Sequence, residues 1–82
     1  MAQVVYQSHT IMVEVIPEWQ NFKWHGTVTP PTDPALPKIA PVNYTSTSLF
    51  SSATAPGMIT EQQAWINQQR AAIDTAVANA NT

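Results

Sequence analysis

Five prolines fall between Pro30 and Pro41, inside a stretch from Gly26 to Met58 whose only ionised side chains are Asp33 and Lys38. Each proline fixes φ and removes a backbone donor, so neither a long helix nor a central strand can pass through this region. Pro31, Pro34 and Pro37 repeat every three residues, the period of polyproline II. Drawn out in that form, the stretch would reach on the order of 100 Å at ~3.1 Å per residue. A run of Ser and Thr follows, and Val42 to Phe50 holds the β-prone residues Val42, Tyr44, Leu49 and Phe50. That piece could add one edge strand to a neighbouring protein. The chain therefore divides into a β-rich anchor (1–29), an extended arm (30–58) and a C-terminal helix (59–82), within a single small domain.

The two flanking segments carry ordinary folding signals. Val4 to Tyr6 and Ile11 to Ile16 are β-prone, and in the second group Ile11, Val13 and Val15 share one face while Met12, Glu14 and Ile16 share the other. Gln7 to Thr10 is either a turn or the polar middle of one long strand. A hairpin is the preferred reading, although the Asn-Gly type of turn signal is missing. Pro17 is expected to end the second strand. A third strand covers Trp19 to Thr29, with Phe22 and Trp24 on one face and Asn21, Lys23 and His25 on the other. At the far end, Pro56-Gly57 reads as a break, and Thr60 with Gln63 forms a capping-box pattern. No Gly or Pro interrupts Glu61 to Asn79, where Ile66, Ile73, Val77 and Ala80 fall at helical spacing and Trp65, Ala72 and Ala76 widen the stripe. Glu61 in the first turn would complement the helix dipole. The fold class is α+β: short N-terminal antiparallel strands, a long extended Pro/Ser/Thr-rich arm and one C-terminal amphipathic helix.

Composition narrows the function. Of the 82 residues, 10% are charged, against about 25% in ordinary soluble domains. The net charge of −2 disfavours nucleic acid as a partner, since phosphate neutralisation needs a basic patch. Cysteine is absent, so neither a disulfide nor a thiolate metal site can staple the chain. The longest apolar run, Ile11 to Ile16, is broken by Glu14 and falls far short of the ~20 residues that span a bilayer. The first ten residues lack the basic start and apolar core of a signal peptide, so cytosolic synthesis without secretion is expected.

Motifs for chemistry are weak. The acids Glu14, Glu18, Asp33, Glu61 and Asp74 are not paired by spacing, and no serine sits in a G-x-S-x-G elbow. His9 and His25 are too far apart in sequence to signal a metal site, and they read as strand-face histidines. Trp19, Phe22, Trp24, Lys23 and His25 form an aromatic cluster that could stack on sugars or bases. In so short a chain, large aromatics more often form the core or anchor an interface. The PxxP spacings invite a recognition-domain reading, with Lys38 placed awkwardly for it. Asn43-Tyr44-Thr45 is a chance glycosylation sequon without an export signal.

No catalytic, cofactor-binding or metal-binding residue is therefore assigned, and the chain is read as non-enzymatic. The interface candidates are Trp19, Phe22, Trp24, Pro31, Pro34, Pro37, Tyr44, Leu49, Phe50, Trp65, Ile66, Ile73 and Val77. A short, cysteine-free, charge-poor chain rich in Gln, Asn, Thr and Ala, with a Pro/Ser/Thr arm, resembles the accessory virion proteins of tailed bacteriophages. These are capsid cement or decoration proteins and small head–tail or tail components. The resemblance implies a structural protein of a virion, made in the host cytoplasm, that bridges several copies of a major structural protein. It implies protein partners, homo-oligomeric contacts among them, and neither nucleic acid nor membrane. A soluble adaptor presenting its proline segment to a recognition domain is the alternative.

Overall fold

The computed structural model describes residues 2–81. Four strands, β1 (Ala2–Tyr6), β2 (His9–Glu18), β3 (Asn21–Thr29) and β4 (Val42–Thr45), form one antiparallel sheet in sequential order. A single long helix, α1 (Ala55–Ala80), covers one face. The α+β class follows directly, as two layers sharing one core.

The β1–β2 connection is a hairpin closed by the pair Tyr6 and His9. Gln7 (φ 48°) and Ser8 (φ 69°) both take left-handed backbone, the requirement of a type I′ turn. His9 and Thr10 thus belong to β2. The β2–β3 hairpin is equally tight: Glu18 pairs with Asn21, and Trp19 stands at φ 60°.

Pro17 does not end β2, which continues to Glu18. Pro17 pairs with Phe22, whose own N–H and C=O are both committed to Phe50 at 2.7 Å on the opposite side. In an antiparallel ladder the partner of such a residue also points its backbone outward. The nitrogen of Pro17 therefore faces the free edge, beyond the last β1 partner at Val13, and its missing donor breaks no bond.

The region from 30 to 58 is not one arm reaching away from the chain. Residues 30–41 loop from the end of β3 to the start of β4, Val42–Thr45 pairs with β3 of the same chain, and Phe50 bridges to Phe22. The strand expected to join a neighbour completes the protein's own sheet. Within the loop, Asp33 makes a turn: its C=O accepts from Leu36 N–H at 3.2 Å and its carboxylate from Ala35 N–H at 2.9 Å. This turn interrupts the three-residue polyproline spacing between Pro31 and Pro37.

The helix starts at Ala55, earlier than expected, with Pro56 in its first turn, where proline loses no intrahelical bond. Thr54 occupies the N-cap position without a side-chain cap bond. Thr60 lies inside the helix, its hydroxyl donating to Pro56 C=O at 3.1 Å, while Gln63 bonds Asn67. The capping box is not formed. Glu61 is likewise past the first turn and serves another purpose, described below.

Alternation sets the layers. His9, Ile11 and Val13 of β2 and Trp24, Gly26 and Val28 of β3 are buried beneath the helix, which contributes Met58, Trp65, Gln69 and Ile73. Val4, Tyr6, Val42 and Tyr44 flank this core from the outer strands. Gln3, Val5, Met12, Glu14, Ile16, Lys23, His25, Thr27, Asn43 and Thr45 lie on the opposite face, which no helix or strand among the described residues covers. The molecule is elongated, 48 × 19 × 18 Å.

Candidate binding site

Helix and sheet approach closely at Gly26. A Cβ there would stand 2.7 Å from one carbon of the Trp65 ring and 2.8 Å from the next. The bare backbone is thus a notch that receives the indole. Trp24 closes one side of the notch and Tyr44 the other. Trp24 and Tyr44 centroids are 5.1 Å apart; Trp24 meets Trp65 edge-on at 5.7 Å; Tyr44 and Trp65 stack at 6.2 Å. Edge-on and offset contacts of this kind add about 0.5–1.5 kcal/mol each beyond area burial. Trp24 is 0% exposed, and its Nε1–H donates to Glu61 Oε1 at 2.8 Å.

An open cleft of about 460 Å³ lies beside this cluster, lined by Trp24, Tyr44, Glu61, Ala64, Trp65 and Gln68. Its chemistry is that of an aromatic wall with one carboxylate. Trp24 is 0% and Trp65 8% exposed, so neither indole offers an open face on which a sugar or base could lie. The aromatic cluster read from Trp19 to His25 is therefore split. Trp24 is core, Phe22 is half-buried beside Phe50, and Lys23 and His25 lie on the uncovered face, where Lys23 sits 3.5 Å from Glu18.

Trp19 is separate from all of these. It is 98% exposed at the tip of the β2–β3 hairpin. That tip projects past β1, whose first residue pairs with Val13. Val15 and Leu49 are also exposed, and both belong to the same end of the sheet, since Val15 pairs with Trp24 and Leu49 precedes the Phe50–Phe22 bridge. Of the other interface candidates, Trp65 and Ile73 are buried in the chain's own core, and Ile66, Val77, Tyr44 and Phe50 are half-buried against it. Pro31 and Pro37 are half-buried and Pro34 is exposed.

Two polar devices were not visible in the sequence. His9 is fully buried; its Nδ1–H donates to Gln7 C=O at 2.9 Å, and its Nε2 accepts the Ile39 N–H at 3.1 Å. The imidazole thereby ties the proline-rich loop to the first hairpin. At that hairpin's tip, Asp74 Oδ1 accepts from the Tyr6 hydroxyl and from Gln7 Nε2, each at 2.6 Å, and the Arg70 guanidinium lies 5.3 Å from the Tyr6 ring centre. The Asp74 bond holds the Tyr6 phenol above its ordinary pKa of 10.0, with the Gln7 contact opposing it. Gly26 did carry a signal: an isolated glycine inside a strand marks a bulge or a close backbone approach.

No group of three His, Cys, Asp or Glu side chains positioned to hold a metal occurs among the described residues. Among the same residues, no helix is long and apolar enough to cross a membrane. Comparison with protein-family models, with curated proteins and with solved structures finds no match to this chain.

Proposed function

We propose that the protein is a non-enzymatic structural component that bridges and stabilises subunits of a large assembly. The assembly that fits the chain best is the virion of a tailed bacteriophage, where it would act as a cement, decoration or minor structural protein. The observation that carries the bridging role is Trp19. An indole that is 98% exposed on a left-handed turn contributes nothing to this chain's own core and occupies backbone that favours glycine. The positive φ belongs to the tight hairpin, as at Gln7 and Ser8; what points to a partner is the exposed indole, since tryptophan is enriched at interface hot spots. Support also comes from the uncovered sheet face, which is mostly uncharged, with Glu14 and Lys23 as its exceptions, and can be buried against protein with little desolvation of charge. The virion itself rests on composition and on the low charge.

The test is cross-linking mass spectrometry on phage particles containing the chain, with a photoreactive group at position 19. Adducts to a major structural subunit are expected. Recovery of the chain free of particles, with no adduct at position 19, would overturn the proposal. The adaptor reading is weakened by the Asp33 turn, which breaks the polyproline spacing such a ligand needs.

A further inference from the structure

The sheet ends on one side at β1, and that edge is unprotected. Tyr6 and His9 close a two-residue turn and so exchange bonds with each other, which sets the parity of the whole pairing. Ala2, Val4 and Tyr6 direct their N–H and C=O groups inward to β2. Gln3 and Val5 direct theirs outward, and among the described residues no backbone group from elsewhere in the chain meets them.

Free edges are ordinarily blunted by proline, charge, a bulge or shortness. The projecting edge of β2 has Pro17 between Glu14 and Glu18, and β4 is four residues long. The β1 sequence AQVVY has no charge and no proline, and its register with β2 advances one for one without a bulge. Val5 is 63% exposed. The helix packs over β2 and β3 and reaches β1 at Tyr6 through Asp74 and Arg70, while Gln3 and Val5 are both exposed.

We propose that β1 pairs antiparallel with β1 of a second copy of this chain, in the register that places Gln3 of one copy opposite Val5 of the other. In this register each outward-facing residue finds an outward-facing partner. Both Gln3–Val5 pairs exchange N–H···O=C bonds in both directions, and Val4 meets its own mate between them. A two-fold axis normal to the sheet relates the copies, joining the two four-stranded sheets into one continuous sheet with both helices on the same face. The partner is a second copy because the edge is self-complementary: the contact brings no like charges together, and each outward group is answered by its counterpart in the mate.

Sedimentation velocity on the purified chain from micromolar to millimolar concentration tests this directly. The wild type should form a dimer. Val5→Pro removes an outward N–H that makes no bond within the chain, so it should weaken association roughly tenfold or more with an unchanged far-ultraviolet circular dichroism spectrum. Val5→Lys keeps the N–H, places a charge on the edge and should weaken association likewise. Amide exchange gives a readout independent of either variant: protection of Gln3 and Val5 should rise with concentration, while Val4 and Tyr6 stay constant. A wild type that is monomeric throughout would overturn the pairing. So would a dimer that survives both Val5 substitutions, or one that is lost in Trp19→Gly and kept in Val5→Lys. Because purified chain is used, failure here leaves the position-19 cross-link to phage subunits standing.

Discussion

Gly26 is the residue on which the interior depends most. The two nearest Trp65 ring carbons lie within 3.0 Å of where a Cβ would sit, and a rigid indole pinned between Trp24 and Tyr44 has no easy way to retreat. Gly26→Ala is expected to destabilise the fold by about 1–3 kcal/mol, the range for overpacking a filled core, as a lowered urea midpoint. At Trp19 the expectation reverses. Its left-handed backbone costs a non-glycine residue about 1–2 kcal/mol, and glycine would return part of this as unfolded-state entropy. Trp19→Gly should therefore raise stability by about 0.5–1 kcal/mol in the same measurement. A substitution that stabilises the free chain while abolishing the position-19 contact would separate folding from function at one residue.

At the scale of elements, side-chain bonds hold together pieces that the ladder and helix do not. His9 joins the proline-rich loop to β2. His9→Ala would leave the Ile39 N–H without its acceptor and a cavity behind it, for a loss of about 2–4 kcal/mol; amide exchange at Ile39 should rise more than the global loss alone predicts. Asp74 joins the first hairpin to the helix. Because the Tyr6 phenol is held above 10.0, its contribution is fully present below the ordinary phenol pKa and is lost as pH rises through the elevated value. Ultraviolet titration should show Tyr6 ionising above 10.0, and Asp74→Asn should bring it back toward that ordinary value. The strands were legible because their alternation is clean, as at Ile11, Val13 and Phe22, Trp24. The helix was legible from its uninterrupted run after Gly57. Its true start was hidden because Pro56 and Gly57 read as breakers, whereas proline is well suited to a first turn. The first hairpin turn carries no local signal, because Gln7 and Ser8 adopt φ values that usually call for Asn-Gly. The cleft and the His9 tie join residues far apart in sequence, such as Trp24 with Glu61 and His9 with Ile39, and no local pattern records such pairs.

For the whole molecule, the sheet order β1-β2-β3-β4 means that every strand pairs with its sequence neighbour. Such local pairing favours rapid folding, with the connection from residue 30 to 41 the longest closure between paired strands. The 48 Å length comes from elements that run alongside one another. Successive helix residues touch successive rows of the sheet, Glu61 at Trp24, Trp65 at Gly26 and Asp74 at Tyr6.

The notch at Gly26 has a mechanical consequence. Packed helices can ratchet past a neighbour by one turn, about 5.4 Å. Here such a slip would drive the Trp65 ring onto the side chain of Trp24 or Val28, since the rows on either side of the notch are filled. The helix consequently has one axial position, and force applied along the long axis meets a keyed joint. A helix keyed this way resists sliding along the sheet, because Trp65 fits only over the bare backbone of Gly26.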